Sequence, residues 1–146
     1  MNNHELQDYL YEHIPLSKAM QVSVLEASPT KIKLSAPLAP NINHRETVFG
    51  GSASALAILS AWSLLHVRTT MQGISARLVI QENDMRYDLP MLDEFSAICE
   101  FDDQLLWDKF IKLLQRKGKA RIRLSAILTC QSQQTGSLSG HFVALL

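Results

Sequence analysis

The residues with the most capacity for chemistry stand in one short run, Asn41-Ile42-Asn43-His44-Arg45-Glu46-Thr47-Val48-Phe49-Gly50-Gly51-Ser52. It offers two amides, an imidazole, a carboxylate and two hydroxyls. Two glycines follow, and these let a backbone come close to whatever lies against it. After Gly51 the chain reads Ser-Ala-Ser-Ala-Leu-Ala-Ile-Leu-Ser-Ala-Trp-Ser-Leu-Leu over positions 52–65, with no charge, Gly or Pro. A helix that is apolar or small on nearly every side is buried on nearly every side. The polar run therefore ends at the start of a central buried helix, with Thr47 or Ser52 as its cap depending on where it begins.

Each of these residues has a plain reading beside a chemical one. Asn43 is either a loop residue making its own turn or a functional amide. Glu46 is either a first-turn carboxylate favoured by the helix dipole or a general base. His44 reads as an exposed loop histidine. Ser52 and Ser54 beside the glycines raise the question of a nucleophile, but there is no GxSxG elbow and no base partner, so small-residue packing is the better account. Cysteine-based, metal-based and dinucleotide chemistry lack support: there is no CxxC, no GxGxxG and no Walker loop, and the histidines do not cluster.

The elements that must position this run are strands on both sides of it. Residues 4–14 predict a short amphipathic helix ended by Pro15. Residues 20–28 and 30–37 predict a hairpin turning at Ser28-Pro29-Thr30, and 37–51 a loop that delivers the chain to the central helix. A long strand is expected over 74–87 and another over 94–101. Asp102-Asp103 caps a helix over 103–116 that Gly118 stops. Strands over 119–131 and 137–145 close the chain around a turn at 132–136. Strands joined mostly by short turns make an antiparallel sheet, and one buried helix after the second strand implies a sheet curled around it, an α+β architecture.

The totals agree with one domain, 1–146. The chain is 47% apolar and 19% charged with a formal net charge of zero. That balance argues against a general nucleic-acid binder. The longest near-apolar run, roughly 15 residues with serines in it, falls short of the roughly 20 a membrane span needs. The N-terminus lacks a signal-peptide pattern. Two isolated thiols, Cys99 and Cys130, suit a reducing cytoplasm, each as a small apolar strand residue.

This order of elements resembles the hot-dog fold of acyl-CoA and acyl-carrier-protein thioesterases and dehydratases, over nearly the whole chain. The resemblance rests on Asn43 six residues before Phe49, followed by Gly50-Gly51 and the buried helix; on Tyr87-Asp88-Leu89-Pro90-Met91-Leu92-Asp93 as a break between the third and fourth strands; and on the final strand pair. More narrowly, Asn41-x-Asn43-x3-Thr47-x-Phe49-Gly50-Gly51-Ser52 is similar to the thioesterase-like domain that some bacterial proteins carry behind an acetyltransferase domain.

The resemblance implies acyl thioester hydrolysis, with the Gly50 and Gly51 amides holding the thioester oxygen and Asn43, with Glu46, positioning water. It implies a substrate-binding set of Asn41, Thr47, Phe49, Ser52 and Leu56, with Ala53 and Trp62 also along the acyl path. No metal or cofactor is implied. The substrates would be acyl-CoA or acyl-carrier protein, and the protein a homodimer or higher homo-oligomer with neither nucleic acid nor membrane as partner. Arg77, Arg86, Lys119, Arg121 and Arg123 either face solvent or bind coenzyme A phosphates or an acidic carrier. Two departures stand out. Phe49 replaces the frequent His before Gly-Gly, and Ala57, Ile58 and Leu59 occupy the helix region where many members place an acid. Glu82 or Asp84 from a partner chain is one replacement for that acid. A module that binds acyl thioesters without hydrolysing them, or serves a partner acetyltransferase in fatty-acid metabolism, is the alternative.

Overall fold

The computed structural model describes residues 1–146 and has the expected architecture, an antiparallel sheet curled around one long helix. The helices are α1 (Asn3–His13), α2 (Pro15–Ala19), α3 (Gly50–Met71) and α4 (Gln104–Lys117). The strands are β1 (Ser23–Ala27), β2 (Lys31–Ala36), β3 (Arg77–Tyr87), β4 (Phe95–Glu100), β5 (Lys119–Cys130) and β6 (Gln133–Leu145). They pair in the order β1-β2-β4-β5-β6-β3, so β1 and β3 are the edges.

The central helix is longer than the uncharged run that announces it. It extends through His66, Arg68, Thr69 and Thr70 to Met71, 22 residues in all. By length and composition alone it would pass for a membrane span. Here the sheet wraps it: Ala53, Leu56, Ala57, Ala61 and Leu64 are sealed within a cluster of 36 buried apolar residues. Alternation on β5 shows which way the sheet faces. Ala120, Ile122, Leu124 and Ala126 are buried under α3, while Lys119, Arg121, Arg123 and Ser125 face outward. Cys99 and Cys130 are unpaired strand residues in the same core. Burial pushes the Cys99 thiol up to about 12, with the Glu100 charge adding to the shift.

Three of the boundaries that differ from the sequence expectation have a plain local reason. Pro15 does more than end the first helix: it occupies the first turn of α2, where its missing N–H costs nothing. The third strand starts at Arg77 rather than 74, because Gly73 and Ile74 still donate to Thr70 and Thr69 at the end of α3. The last strand starts at Gln133, because Gln131 and Ser132 both adopt positive φ (51° and 64°) and make the reversal themselves. Asp103 caps α4 as expected by accepting from Leu106 N at 3.0 Å, and Gly118 ends it at φ 72°.

The two sheet edges are treated differently. Side chains of α1 at four-residue spacing satisfy the open groups of β1 and the residue before it. Asn3 Nδ2 donates to Leu25 O at 2.9 Å, Gln7 Oε1 accepts from Val24 N at 3.0 Å, and Tyr11 OH donates to Val22 O at 2.6 Å. Leu6 and Leu10, on the neighbouring face of α1, are fully buried and hold it in place. No element covers the free side of the 11-residue β3.

Candidate functional site

The loop before α3 is built by its own amides. Asn43 Oδ1 accepts from Arg45 N (2.8 Å) and Thr47 N (3.1 Å), and Asn43 Nδ2 donates to Thr47 Oγ1 (2.8 Å). Asn41 is 2% exposed and donates from Nδ2 to Met20 O (3.0 Å) and Pro37 O (2.8 Å), while its backbone carbonyl accepts from Phe49 N (2.8 Å). Val48 N is anchored on Met91 O at 2.9 Å. The two asparagines thus fix the path of the chain into α3. Glu46 sits exposed at the turn with φ 64°, and His44 is exposed beside it.

That path leaves the start of the helix bare. Neither Thr47 nor Ser52 caps it, contrary to expectation; the N-cap is Phe49, whose side chain makes no capping bond. Phe49 O accepts from Ser52 N (2.9 Å) and Ala53 N (3.0 Å), so the Gly50 and Gly51 N–H groups have no acceptor in the chain. Unpaired donors and the positive end of a 22-residue helix therefore coincide. The glycines differ in what they permit. A Cβ on Gly51 would collide with the Phe49 ring, which folds back over it. A Cβ on Gly50 would stand 3.6 Å from Tyr87 Cε1, an ordinary contact.

Gly50 opens on a cleft of about 330 Å³ between the start of α3 and the ends of β3 and β6. Val48, Ala53, Leu89, Met91 and Leu128 give it an apolar wall, and Asp88 and Thr135 add polar groups. Asp88 N and Leu89 N both donate to Thr135 O, at 2.9 and 3.1 Å, which ties the chain after β3 to the start of β6. Thr135 is 3% exposed and its Oγ1 has no hydrogen-bond partner. Asp88 Oδ1 lies 3.5 Å from Arg86 Nε.

Of the residues expected at a site, only Gly50 and Ala53 line this cleft. Gly51 and Phe49 adjoin it in sequence, Ser52 is half-buried in the first turn, and Leu56 is fully buried in the core. Asn41, Asn43 and Thr47 build the loop behind it. Trp62 is further along the helix and donates to Leu78 O at 2.9 Å. Glu82 and Asp84 are on the outer face of β3, away from α3, where Glu82 Oε1 lies 2.9 Å from His141 Nδ1. Arg77, Arg86, Lys119, Arg121 and Arg123 are exposed. In the sequence, Asp88 is part of a strand break and Thr135 part of a turn, and neither carries a spacing signal.

A second hollow of about 350 Å³ lies toward the other end of α3, lined in part by Tyr9, Trp62 and His66. The His66 ring stacks on Tyr9 (4.2 Å between centroids) and Trp62 (5.0 Å). Burial, and then the charge of His13, lower its pKa below the usual 6.5.

Solved structures share this architecture over nearly their whole length. A Chlorobaculum tepidum TLS protein described as of unknown function is 28% identical, covers 98% of this chain and 93% of its own, and superposes with a TM-score of 0.92. A Shewanella oneidensis protein described as a putative thioesterase is 26% identical over 99% of this chain and 97% of its own, with a TM-score of 0.87. A Pseudomonas aeruginosa protein described as a probable thioesterase, 18% identical over 97% and 95%, shares the fold at a TM-score of 0.82. The sequence profile of one family spans residues 3–146. With a bare helix start at the edge of an apolar cleft and a profile that runs almost end to end, the chain belongs to the YiiD_C family, described as "Putative thioesterase (yiiD_Cterm)".

Proposed function

We propose that the protein hydrolyses acyl thioesters, of coenzyme A or of an acyl-carrier protein, in the cleft at the start of α3. The observation that carries this reading is the unpaired Gly50 N–H at the mouth of an apolar cleft. The carbonyl oxygen of a thioester gains negative charge as water adds, and a fixed donor at a helix N-terminus stabilises that charge where it develops. The apolar wall suits an acyl chain. Family membership and the thioesterase-like neighbours point the same way. Thiol release from a panel of short, long and aromatic acyl-CoAs, and from acyl-carrier proteins, tests the proposal and identifies the thiol carrier. No release from any member, with a non-hydrolysable thioether analogue still bound, would replace it with the binding-module reading. That second reading draws on two facts: Asn43 is wholly engaged in its loop, and no acid stands in the first turns of α3.

The same reading includes pairing of two copies along β3. An 11-residue edge with free backbone groups and no proline is a template for another strand. Along α3, the partly exposed Ala55, Ile58, Trp62 and His66 lie three or four residues apart, as one helix face requires. Light scattering at micromolar concentration should give at least a dimer; a monomer would remove this part of the proposal.

A further inference from the structure

We infer that Asp88 and Thr135 hold and activate the attacking water in the cleft; this rests on the thioesterase reading above. Three observations lead to them. Thr135 is 3% exposed, lines the cleft with Gly50, and has a hydroxyl with no partner in the protein. A buried hydroxyl left unpaired is costly unless something outside the chain bonds to it. Asp88 is the one carboxylate lining that cleft. The Asp88 backbone is tied to Thr135, because its N–H donates to the Thr135 carbonyl at 2.9 Å. The residues expected to do this work are elsewhere: Asn43 is occupied by its loop, Glu46 is exposed outside the cleft lining, and Glu82 and Asp84 are on the far face of the sheet.

The chemistry then runs as one addition and one elimination. Water, bonded to the Thr135 hydroxyl, attacks the thioester carbonyl carbon while Asp88 takes its proton. The carbonyl π pair moves onto the oxygen, where the Gly50 N–H meets it. The tetrahedral intermediate collapses, the C–S bond breaks, and the proton on Asp88 passes to the departing sulfur. The products are a carboxylic acid and a free thiol. Asp88 and the glycine donor thus act on the same reacting carbon from one cleft, with no residue needed from α3 beyond its first turn.

Two variants test the pair in the full chain. Asp88→Asn keeps the size and the backbone bond to Thr135, and kcat should fall on the order of 10²-fold or more with KM little changed. Thr135→Val replaces the unpartnered hydroxyl by a methyl. Its kcat should fall about tenfold while the melting temperature holds or rises, because no protein hydrogen bond is lost. A merely structural threonine would leave kcat untouched. Either Asp88→Asn or Thr135→Val at the wild-type rate overturns the inference while leaving a thioesterase in place. Absence of turnover by the wild-type protein on every thioester would remove the thioesterase reading, and this inference with it.

Discussion

At its first turn α3 has no capping side chain, two glycines, and two backbone N–H groups without an acceptor. At its last turn it is tied to distant parts of the chain. Arg68 Nη1 donates to Pro29 O at 2.5 Å, and its guanidinium lies 4.4 Å from the Trp107 ring and 5.0 Å from that of Phe101. Thr69 Oγ1 donates to Leu65 O at 2.8 Å, and Trp107 Nε1 donates to Gln72 Oε1 at 2.9 Å. Ile74 N and Gly73 N return to the carbonyls of Thr69 and Thr70. One helix thus has an end that the protein completes and an end that it leaves incomplete. Bonds close at one end; at the other, the Gly50 and Gly51 donors are left open beside the cleft.

The largest effect is expected at the open end. Phe49 already has extended backbone angles (φ −59°, ψ 133°), which suit a residue before proline. Proline is also tolerated in the first turn of a helix. Gly50→Pro therefore deletes one open donor without disturbing the fold. Thiol release should fall roughly 10²–10³-fold, with an unchanged melting temperature; full activity would mean that the bare end is not where the oxyanion forms.

At the closed end, Arg68→Met should leave thiol release intact and lower stability by about 2–3 kcal/mol in urea unfolding, from the lost stacking and the charge-assisted bond to Pro29. Trp107→Phe, which removes the bond to Gln72 and leaves a void where the larger buried ring packed, should cost about 2 kcal/mol by the same measurement. A loss of activity without loss of stability in either would erase the division between the ends.

The smallest effect concerns His66, nearer the closed end. Its pKa is lowered by burial and by His13, so the unfolded chain binds its proton at higher pH than the folded one. Stability should be complete above pH 6.5 and decline as pH falls below it. His66→Phe, which keeps an aromatic ring against Tyr9 and Trp62, should flatten that part of the melting-temperature profile.

The division also explains what the sequence discloses and what it conceals. The start of α3 is legible because glycine pairs and uncharged runs are local signals. Its end is not: His66, Arg68 and Thr69 look like solvent-facing residues until Tyr9, Pro29 and Trp107 arrive from distant parts of the chain. The same holds for the site. Asn43 stood open between a turn and a functional role, and its hydrogen bonds all stay within the loop. Asp88 and Thr135 lie 47 positions apart in the sequence and meet only because β3 pairs with β6. Alternation located the strands, but their ends depended on Gln131 and Ser132 adopting a backbone conformation that neither residue type advertises.

The row of Asn3, Gln7 and Tyr11 against β1 has a consequence for assembly. In the language of polymer chemistry, a sheet with two bare edges is a bifunctional monomer that can lengthen without limit. With β1 blocked by its own first helix, this sheet is monofunctional. Whatever strand joins at β3 terminates growth, so a second copy would give a finite pair rather than a fibre.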